Sequence, residues 1–177
     1  MTFTVAEDAD LAHARSLIRT IKDYPQPGVL FRDITPLLAD GRAMRAVAEG
    51  LIAQANTTFD IVAGIEARGF IFAGAVAAVA GKGMLPIRKE GKLPMPAQRI
   101  SYQKEYGPDT LEVSPELEAG MRVLLLDDIL ATGGTLKAAA DLIDRVGAQI
   151  AEVGVVLELE GLGGRALMPQ TQALFTL

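Results

Sequence analysis

An α/β fold, with a mostly parallel central sheet flanked by helices, is the architecture this sequence predicts. Three observations carry that expectation. Short runs rich in Val, Ile and Leu alternate with stretches of helical spacing, and that alternation calls for crossover connections and parallel strands. The run Val123 to Leu126 has no polar interruption, so it reads as a strand covered on both faces. That strand then ends in Asp127-Asp128 and a small turn, Ala131-Thr132-Gly133-Gly134-Thr135. Open α/β sheets bind their ligands at this carboxyl edge.

The elements follow in order. From Asp10 to Ile21, the spacing of Leu11, Ala14, Leu17, Ile18 and Ile21 predicts a helix, with Asp8 or Asp10 as its N-cap. His13 falls off that stripe and reads as a solvated helix residue. Pro25-Gln26-Pro27-Gly28 forces a turn. A helix is expected over Arg42 to Ala55, a strand over Asp60 to Ile65, and a helix of closely packed small residues over Gly69 to Ala80. Met84 to Arg88 reads as a further strand. Residues 90–110 mix prolines with charges and tyrosines and read as a long mobile loop, closed by a short strand at Leu111 to Val113. Val123 to Asp127, Gly134 to Val146 and Gln149 to Leu157 complete a strand, helix and strand. There is no internal repeat, and 177 residues suit a single domain over 1–177.

Composition narrows the function. The chain has no cysteine, which excludes a disulfide framework, a thiolate zinc site and a cysteine nucleophile. It is compatible with a reducing cytoplasm, the expected location. The start, Met1 to Asp8, lacks the basic-then-apolar layout of a signal peptide. The longest uncharged apolar segment, Gly69 to Gly81, is too short to span a bilayer. A net charge of -5 argues against general nucleic-acid binding but leaves room for a small anionic ligand, because the cations are clustered.

Five segments carry chemistry. Asp127 and Asp128 end a buried strand, and the hydroxyls and free N–H groups of Thr132 to Thr135 offer an anion site at a helix start. No lysine follows the second glycine, so this is not a Walker loop, and the dinucleotide glycine spacing is absent. The pattern suits sugar hydroxyls beside a phosphate. Ile61 to Phe70 has the same layout, with Arg68 and Gly69 at a helix start; Glu66 pairing with Arg68 in a plain surface turn is the alternative. Arg88-Lys89-Glu90-Gly91-Lys92 gathers three cations after a strand. In Ser101 to Gly107, Glu105 reads as a general acid on a closing loop, or simply as an exposed acid. Pro27 to Pro36 could stack a flat heterocycle on Phe31, or anchor a connection to the core.

Together these segments resemble the type I phosphoribosyltransferases over about Tyr24 to Gly164. Val123 to Thr135 resembles the family's phosphoribosyl-pyrophosphate signature. The order of the other blocks resembles the members that use adenine rather than hypoxanthine, orotate or uracil. The resemblance implies the type I fold with an N-terminal hood, about residues 22–38, and a mobile lid, about 90–112. It implies a purine-salvage glycosyltransferase joining adenine to 5-phosphoribosyl 1-pyrophosphate, giving AMP and pyrophosphate. Magnesium would arrive with the phosphoribosyl substrate, and no residue is assigned as its direct ligand.

By the same resemblance Asp127 and Asp128 would hold the ribose hydroxyls, directly or through the substrate-bound magnesium, and Ala131, Thr132, Gly133, Gly134 and Thr135 the 5′-phosphate. Ala67 and Arg68 would form a pyrophosphate loop containing a strained or cis peptide at Glu66–Ala67. Arg88, Lys89 and Lys92 would neutralise pyrophosphate, some of them across a homodimer. Val29, Leu30, Phe31 and Arg32 would cover and read the base, and Glu105 would be the catalytic acid/base. Val156 and Leu157 are the open candidates for a further base contact. The alternatives are the same transfer to another 6-substituted purine, and a phosphoribosyl-pyrophosphate-sensing regulator that binds nucleic acid; the chain has neither a basic face nor a helix-turn-helix unit for the latter.

Overall fold

Helix α1 (Asp8–Ser16) stops well before the Ile21 that its apolar spacing predicts. The computed structural model describes residues 8–104 and 107–177, and two units can be described, Met1–Gly50 and Leu51–Leu177. In the first, the Ser16 hydroxyl donates to the His13 carbonyl at 2.7 Å and the helix unwinds. The next residues form β1 (Arg19–Lys22), antiparallel to β2 (Leu30–Asp33), with Ile21 opposite Phe31 and Arg19 opposite Asp33. The correction has a local cause: Ile18, Thr20 and Ile21 are β-branched and favour extended backbone. The connecting loop has Asp23 at φ 57, a cis Tyr24–Pro25 bond and Gly28 at φ 84. The Asp23 carboxylate accepts the Gly28 N–H at 2.7 Å.

Asp33 ends β2 and starts α2 (Thr35–Leu38) by accepting the Thr35 N–H at 2.9 Å. It also takes the Arg19 guanidinium at 2.6 Å. Hydrogen bonds from Thr35, then from Arg19, hold its carboxyl down at about 2. Asp40 caps α3 (Gly41–Gln54) through the Ala43 N–H at 2.8 Å, and its other oxygen lies 3.0 Å from His13 Nε2. His13 is therefore half-exposed with a carboxylate partner, not simply solvated.

The second unit is a sheet. Its strands are β3 (Ile61–Ile65), β4 (Gly83–Lys89), β5 (Gln98–Lys104), β6 (Gly107–Val113), β7 (Arg122–Leu130), β8 (Gln149–Glu158) and β9 (Gln172–Thr176). Among the described residues the order is β5-β6-β4-β3-β7-β8-β9. Strands β4, β3, β7, β8 and β9 run parallel, and β6 and β5 add antiparallel at the β4 edge. Helix α4 (Gly69–Ala80) joins β3 to β4, and α5 (Gly134–Val146) joins β7 to β8 in the opposite direction across the sheet. Right-handed crossovers that move in opposite directions put their helices on opposite faces. Both helices fall where the sequence places them.

The strands alternate accordingly. Ala63, Ile65, Val123, Leu125, Val153 and Val155 share a buried cluster with Leu136, Ala139 and Ile143 of α5. Val62, Leu124 and Leu126, of opposite parity, are also fully buried. Two expectations are corrected. Residues 90–110 are not simply a long loop: β5 (Gln98–Lys104) and β6 (Gly107–Val113) pair antiparallel, with Ile100 opposite Leu111. Alternation in Arg99-Ile100-Ser101-Tyr102 drives it, since Ile100 and Leu111 are buried while Arg99 and Ser101 are exposed. The chain also continues past Leu157 into α6 (Gly164–Leu167) and β9, neither of which the sequence reading contained. No helix among the described residues is long and apolar enough to cross a membrane.

Candidate active site

Strand order reverses between β3 and β7: the chain leaves β3 toward β4 and leaves β7 toward β8. This is the switch point at which an open sheet has a cleft at its carboxyl edge. In register, Gly64 lies beside Leu126 and Ile65 beside Ile87. Residues 66–68, 88–92 and 127–135 therefore emerge at one edge, as the sequence expectation requires.

The Glu66–Ala67 peptide is cis, at the place the resemblance implied. Arg68 follows as the residue capping α4, with Gly69 packed so closely that a Cβ there would lie 2.9 Å from Asp127 Oδ1. The Arg68 side chain reaches across to β7, its Nε 2.7 Å from Asp128 Oδ2. Arg68 therefore pairs with Asp128 and not with Glu66, which removes the plain-turn alternative. Glu66 instead organises the basic run. Its oxygens lie 3.4 Å from Arg88 and 3.8 Å from Lys92, and accept the Lys89 N–H at 2.9 Å. Burial pushes the Glu66 carboxyl up, but these donors outweigh it and hold it below the usual range. The Lys89 ammonium lies 3.5 Å from Asp109 of β6.

Because β7 continues to Leu130, Asp127 and Asp128 obey strand alternation rather than sharing a turn. Asp128 is buried against Arg68. Asp127 lines a cavity of about 110 Å³ with Ile129, Ala131, Thr132, Gly133, Thr135 and Leu136, and accepts the Asp128 N–H at 2.9 Å. Burial, then the neighbouring Asp128 carboxylate, pushes the Asp127 carboxyl well above its ordinary value. Burial raises Asp128 as well, with Arg68 pulling it back. An acid pair with two such values keeps a proton to higher pH than an exposed carboxylate would.

Gly133 has φ 84 and turns the chain into α5, whose start is capped by no side chain among the described residues. The first N–H groups of a helix have no intrahelical partner, and Gly133, Thr135 and Leu136 line the cavity, so this helix start suits an anion. Thr135 Oγ1 lies 3.2 Å from the hydroxyl of Tyr102 in β5. Tyr102 in turn reaches Asp109 at 3.4 Å. That chain joins the α5 start to Lys89; no sequence pattern signals it, because Tyr102 and Asp109 lie in a segment with the prolines and charges of a loop.

Glu105 lies outside the described residues. Val29 to Arg32 belong to the first unit, where Val29 and Leu30 are exposed and Phe31 meets the Tyr24 ring edge-on, with centroids 5.1 Å apart. Val156 and Leu157 are fully buried in β8. Among the described residues no cluster of three or more His, Cys, Asp or Glu side chains could cage a metal.

Similarity to known proteins points the same way. Residues 33–167 match the phosphoribosyl transferase domain family. A curated relative from Clavibacter sepedonicus, named adenine phosphoribosyltransferase, is 57% identical over 153 residues, covering 86% of this chain and 80% of its own. The crystal structure of adenine phosphoribosyltransferase from Thermoanaerobacter pseudethanolicus superposes with a TM-score of 0.88 at 38% identity, covering 94% of this chain and 99% of its own. The Saccharomyces cerevisiae enzyme, solved with an imino-altritol bisphosphate and adenine, gives 0.88 at 30% identity, with 96% and 99% covered. An arginine turn, an acid pair and an uncapped helix start on one sheet edge, with these relatives, place the chain in the type I phosphoribosyltransferase family, among the adenine phosphoribosyltransferases.

Proposed function

We propose that this protein transfers the 5-phosphoribosyl group from 5-phosphoribosyl 1-pyrophosphate to adenine, yielding AMP and pyrophosphate in purine salvage. The observation that carries the reading is the Arg68–Asp128 pair at 2.7 Å, which joins a phosphate-binding cation to a sugar-binding acid. Each of these cations has a carboxylate partner: Arg68 has Asp128, Arg88 and Lys92 share Glu66, and Lys89 has Asp109. Pyrophosphate oxygens can replace those carboxylates around Ala67, Arg68, Arg88, Lys89 and Lys92. Asp128 is then released to accept ribose hydroxyls beside Asp127, so the two halves of the substrate assist each other's binding. The 5′-phosphate takes the N–H groups and hydroxyls of Ala131 to Thr135.

In the reaction the C1–pyrophosphate bond breaks as positive charge grows on the ribose, and a ring nitrogen of adenine bonds to C1 from the opposite face. The nitrogen's proton leaves to a base, a role assigned to Glu105 from the family resemblance. The chain's own contribution is electrostatic and positional: cations on the departing pyrophosphate, and acids and loop donors that fix the ribose. Magnesium belongs to the substrate. Two adjacent carboxylates suit an ion that keeps its waters and binds mainly to phosphates. Held beside Asp127 and Asp128, it would add positive charge at the leaving group. Val29, Leu30, Phe31 and Arg32 take the base, supported by the exposed apolar edge of the β1–β2 hairpin.

The working unit is proposed to be a cytoplasmic homodimer. Helix α4 has no charged residue, and Ile71 and Val79 on it are exposed, an apolar face that a second copy would cover. The test of function is a steady-state comparison of adenine, hypoxanthine, guanine and xanthine with 5-phosphoribosyl 1-pyrophosphate. Preference for a 6-oxopurine would overturn the assignment of adenine, and nucleic-acid binding without turnover would overturn the enzyme.

A further inference from the structure

The glycine-rich turn Gly161-Leu162-Gly163-Gly164-Arg165 has no part in the reaction described above, yet it touches the site from behind. Gly163, at φ 79, starts α6, and Gly164 follows, buried. A Cβ on Gly164 would overlap the Ala131 carbonyl oxygen and lie 2.8 Å from Leu130 Cδ1 and 3.0 Å from the Ala131 carbonyl carbon. The contact is reciprocal. A Cβ on Gly133 would meet the Gly164 oxygen at 3.1 Å and its Cα at 3.3 Å. Loop and turn thus pack backbone on backbone, with the Leu130 and Leu167 side chains flanking the contact.

Arg165, the next residue, fixes the turn. Its Nε donates to Glu158 Oε1 at 3.0 Å, and Nη2 donates to Oε2, a bidentate pair with the last residue of β8. Nη1 donates to the Thr171 and Pro169 carbonyls, which tie down the chain after α6. Glu158 is itself buried, and the adjacent Leu159 N–H donates to the Leu130 carbonyl at 2.9 Å. The frame around Leu130 and Ala131 is therefore held on both sides.

A site made largely of backbone N–H groups works only if that backbone is fixed to within a fraction of an ångström. The loop contains two consecutive glycines, which restrict themselves little. We infer that Gly164, held by the Arg165–Glu158 pair, is a positioning residue that sets the Ala131–Gly133 backbone for 5′-phosphate binding. The inference rests on reading that loop as the 5′-phosphate site.

The test compares four variants by steady-state kinetics and by equilibrium binding of ribose 5-phosphate. Thr135→Val probes the loop itself and is expected to raise KM for 5-phosphoribosyl 1-pyrophosphate. Gly164→Ala must displace the loop backbone and is expected to raise that KM by roughly tenfold or more, with kcat and the KM for adenine near wild type. Arg165→Gln is expected to raise it about threefold to tenfold, and decides the matter if Gly164→Ala does not fold. Gly154→Ala, which crowds Leu126 and Leu51 in the core, should lower Tm without changing that KM. If Thr135→Val raises the KM while Gly164→Ala and Arg165→Gln leave it unchanged, the positioning role is overturned. An unchanged KM in Thr135→Val overturns the loop reading, and this inference with it.

Discussion

At the scale of single residues, the acid pair on β7 is an unfavourable arrangement that the Arg68 guanidinium, 2.7 Å from Asp128, offsets in part. Two carboxylates adjacent in sequence are largely withdrawn from water, and burial pushes both up, Asp127 most strongly. Accepting ribose hydroxyls requires the ionised form. Hence kcat/KM for 5-phosphoribosyl 1-pyrophosphate should fall as pH drops through an apparent value above the ordinary carboxylate 3.8. Asp128→Asn removes the charge that helps raise Asp127 and frees Arg68 to lower it further. The acid limb of the profile should then move to lower pH. The plateau should fall by roughly tenfold to a hundredfold, the scale of one lost charged hydrogen bond. A limb that stays in place would show that the pair does not govern the titration.

A different residue carries acid sensitivity of another kind. Asp33 has its carboxyl lowered from 3.8 to about 2 by Thr35 and Arg19, so its contribution to stability is complete above 3.8 and is lost as pH falls toward 2. Asp33→Asn cannot titrate. Its deficit against wild type in urea midpoint should be largest near neutral pH and should close as the pH approaches about 2. A deficit that is constant with pH would mean the carboxylate's charge contributes nothing there.

At the scale of elements, the β5–β6 hairpin links the two anion subsites. Its Tyr102 hydroxyl touches Thr135 at the α5 start, and its Asp109 touches Lys89 at the end of the basic strand. Tyr102→Phe keeps the ring and removes the hydroxyl. It should weaken the phosphoribosyl substrate by about 1 kcal/mol, roughly fivefold in KM, with adenine unaffected. Equal losses for both substrates would reassign Tyr102 to general packing. Legibility differed sharply between elements. Helices α4 and α5 and strands β3, β7 and β8 were visible because unbroken apolar runs and glycine boundaries leave little choice of structure. The hairpin was hidden because its prolines and charges imitate a loop, while its alternation covers only Ile100 and Tyr102 on β5. The helical spacing of Leu17, Ile18 and Ile21 overextends α1, whereas pairing of Arg19 to Lys22 with β2 holds Ile21 in extended backbone. Among site contacts, Arg68 to Asp128 joins positions 60 residues apart, and sequence could name both residues without showing that they meet.

At the scale of the whole molecule, the open question is what covers α4. A helix with no charge at all belongs in an interior, and Phe72, Ala73, Val76 and Ala77 are indeed buried. Ile71, Ala78 and Val79 are nevertheless exposed, and Ala75 beside them is only partly covered. Positions 71, 75, 78 and 79 follow helical spacing, so they form one stripe on one face. A stripe of this kind is self-complementary when two copies meet about a two-fold axis, since each helix offers small residues where its partner offers Ile71 or Val79. Light scattering should therefore give a mass about twice the 18.7 kDa of the chain. Ile71→Asp places a charge in the middle of the stripe and should yield monomer. Because Arg68 is the N-cap residue of α4, separation of the copies should also loosen the pyrophosphate turn and raise KM for the phosphoribosyl substrate. A monomeric wild type would remove the interface altogether, and a dimer undisturbed by Ile71→Asp would place it elsewhere; either result leaves the α4 face without this role.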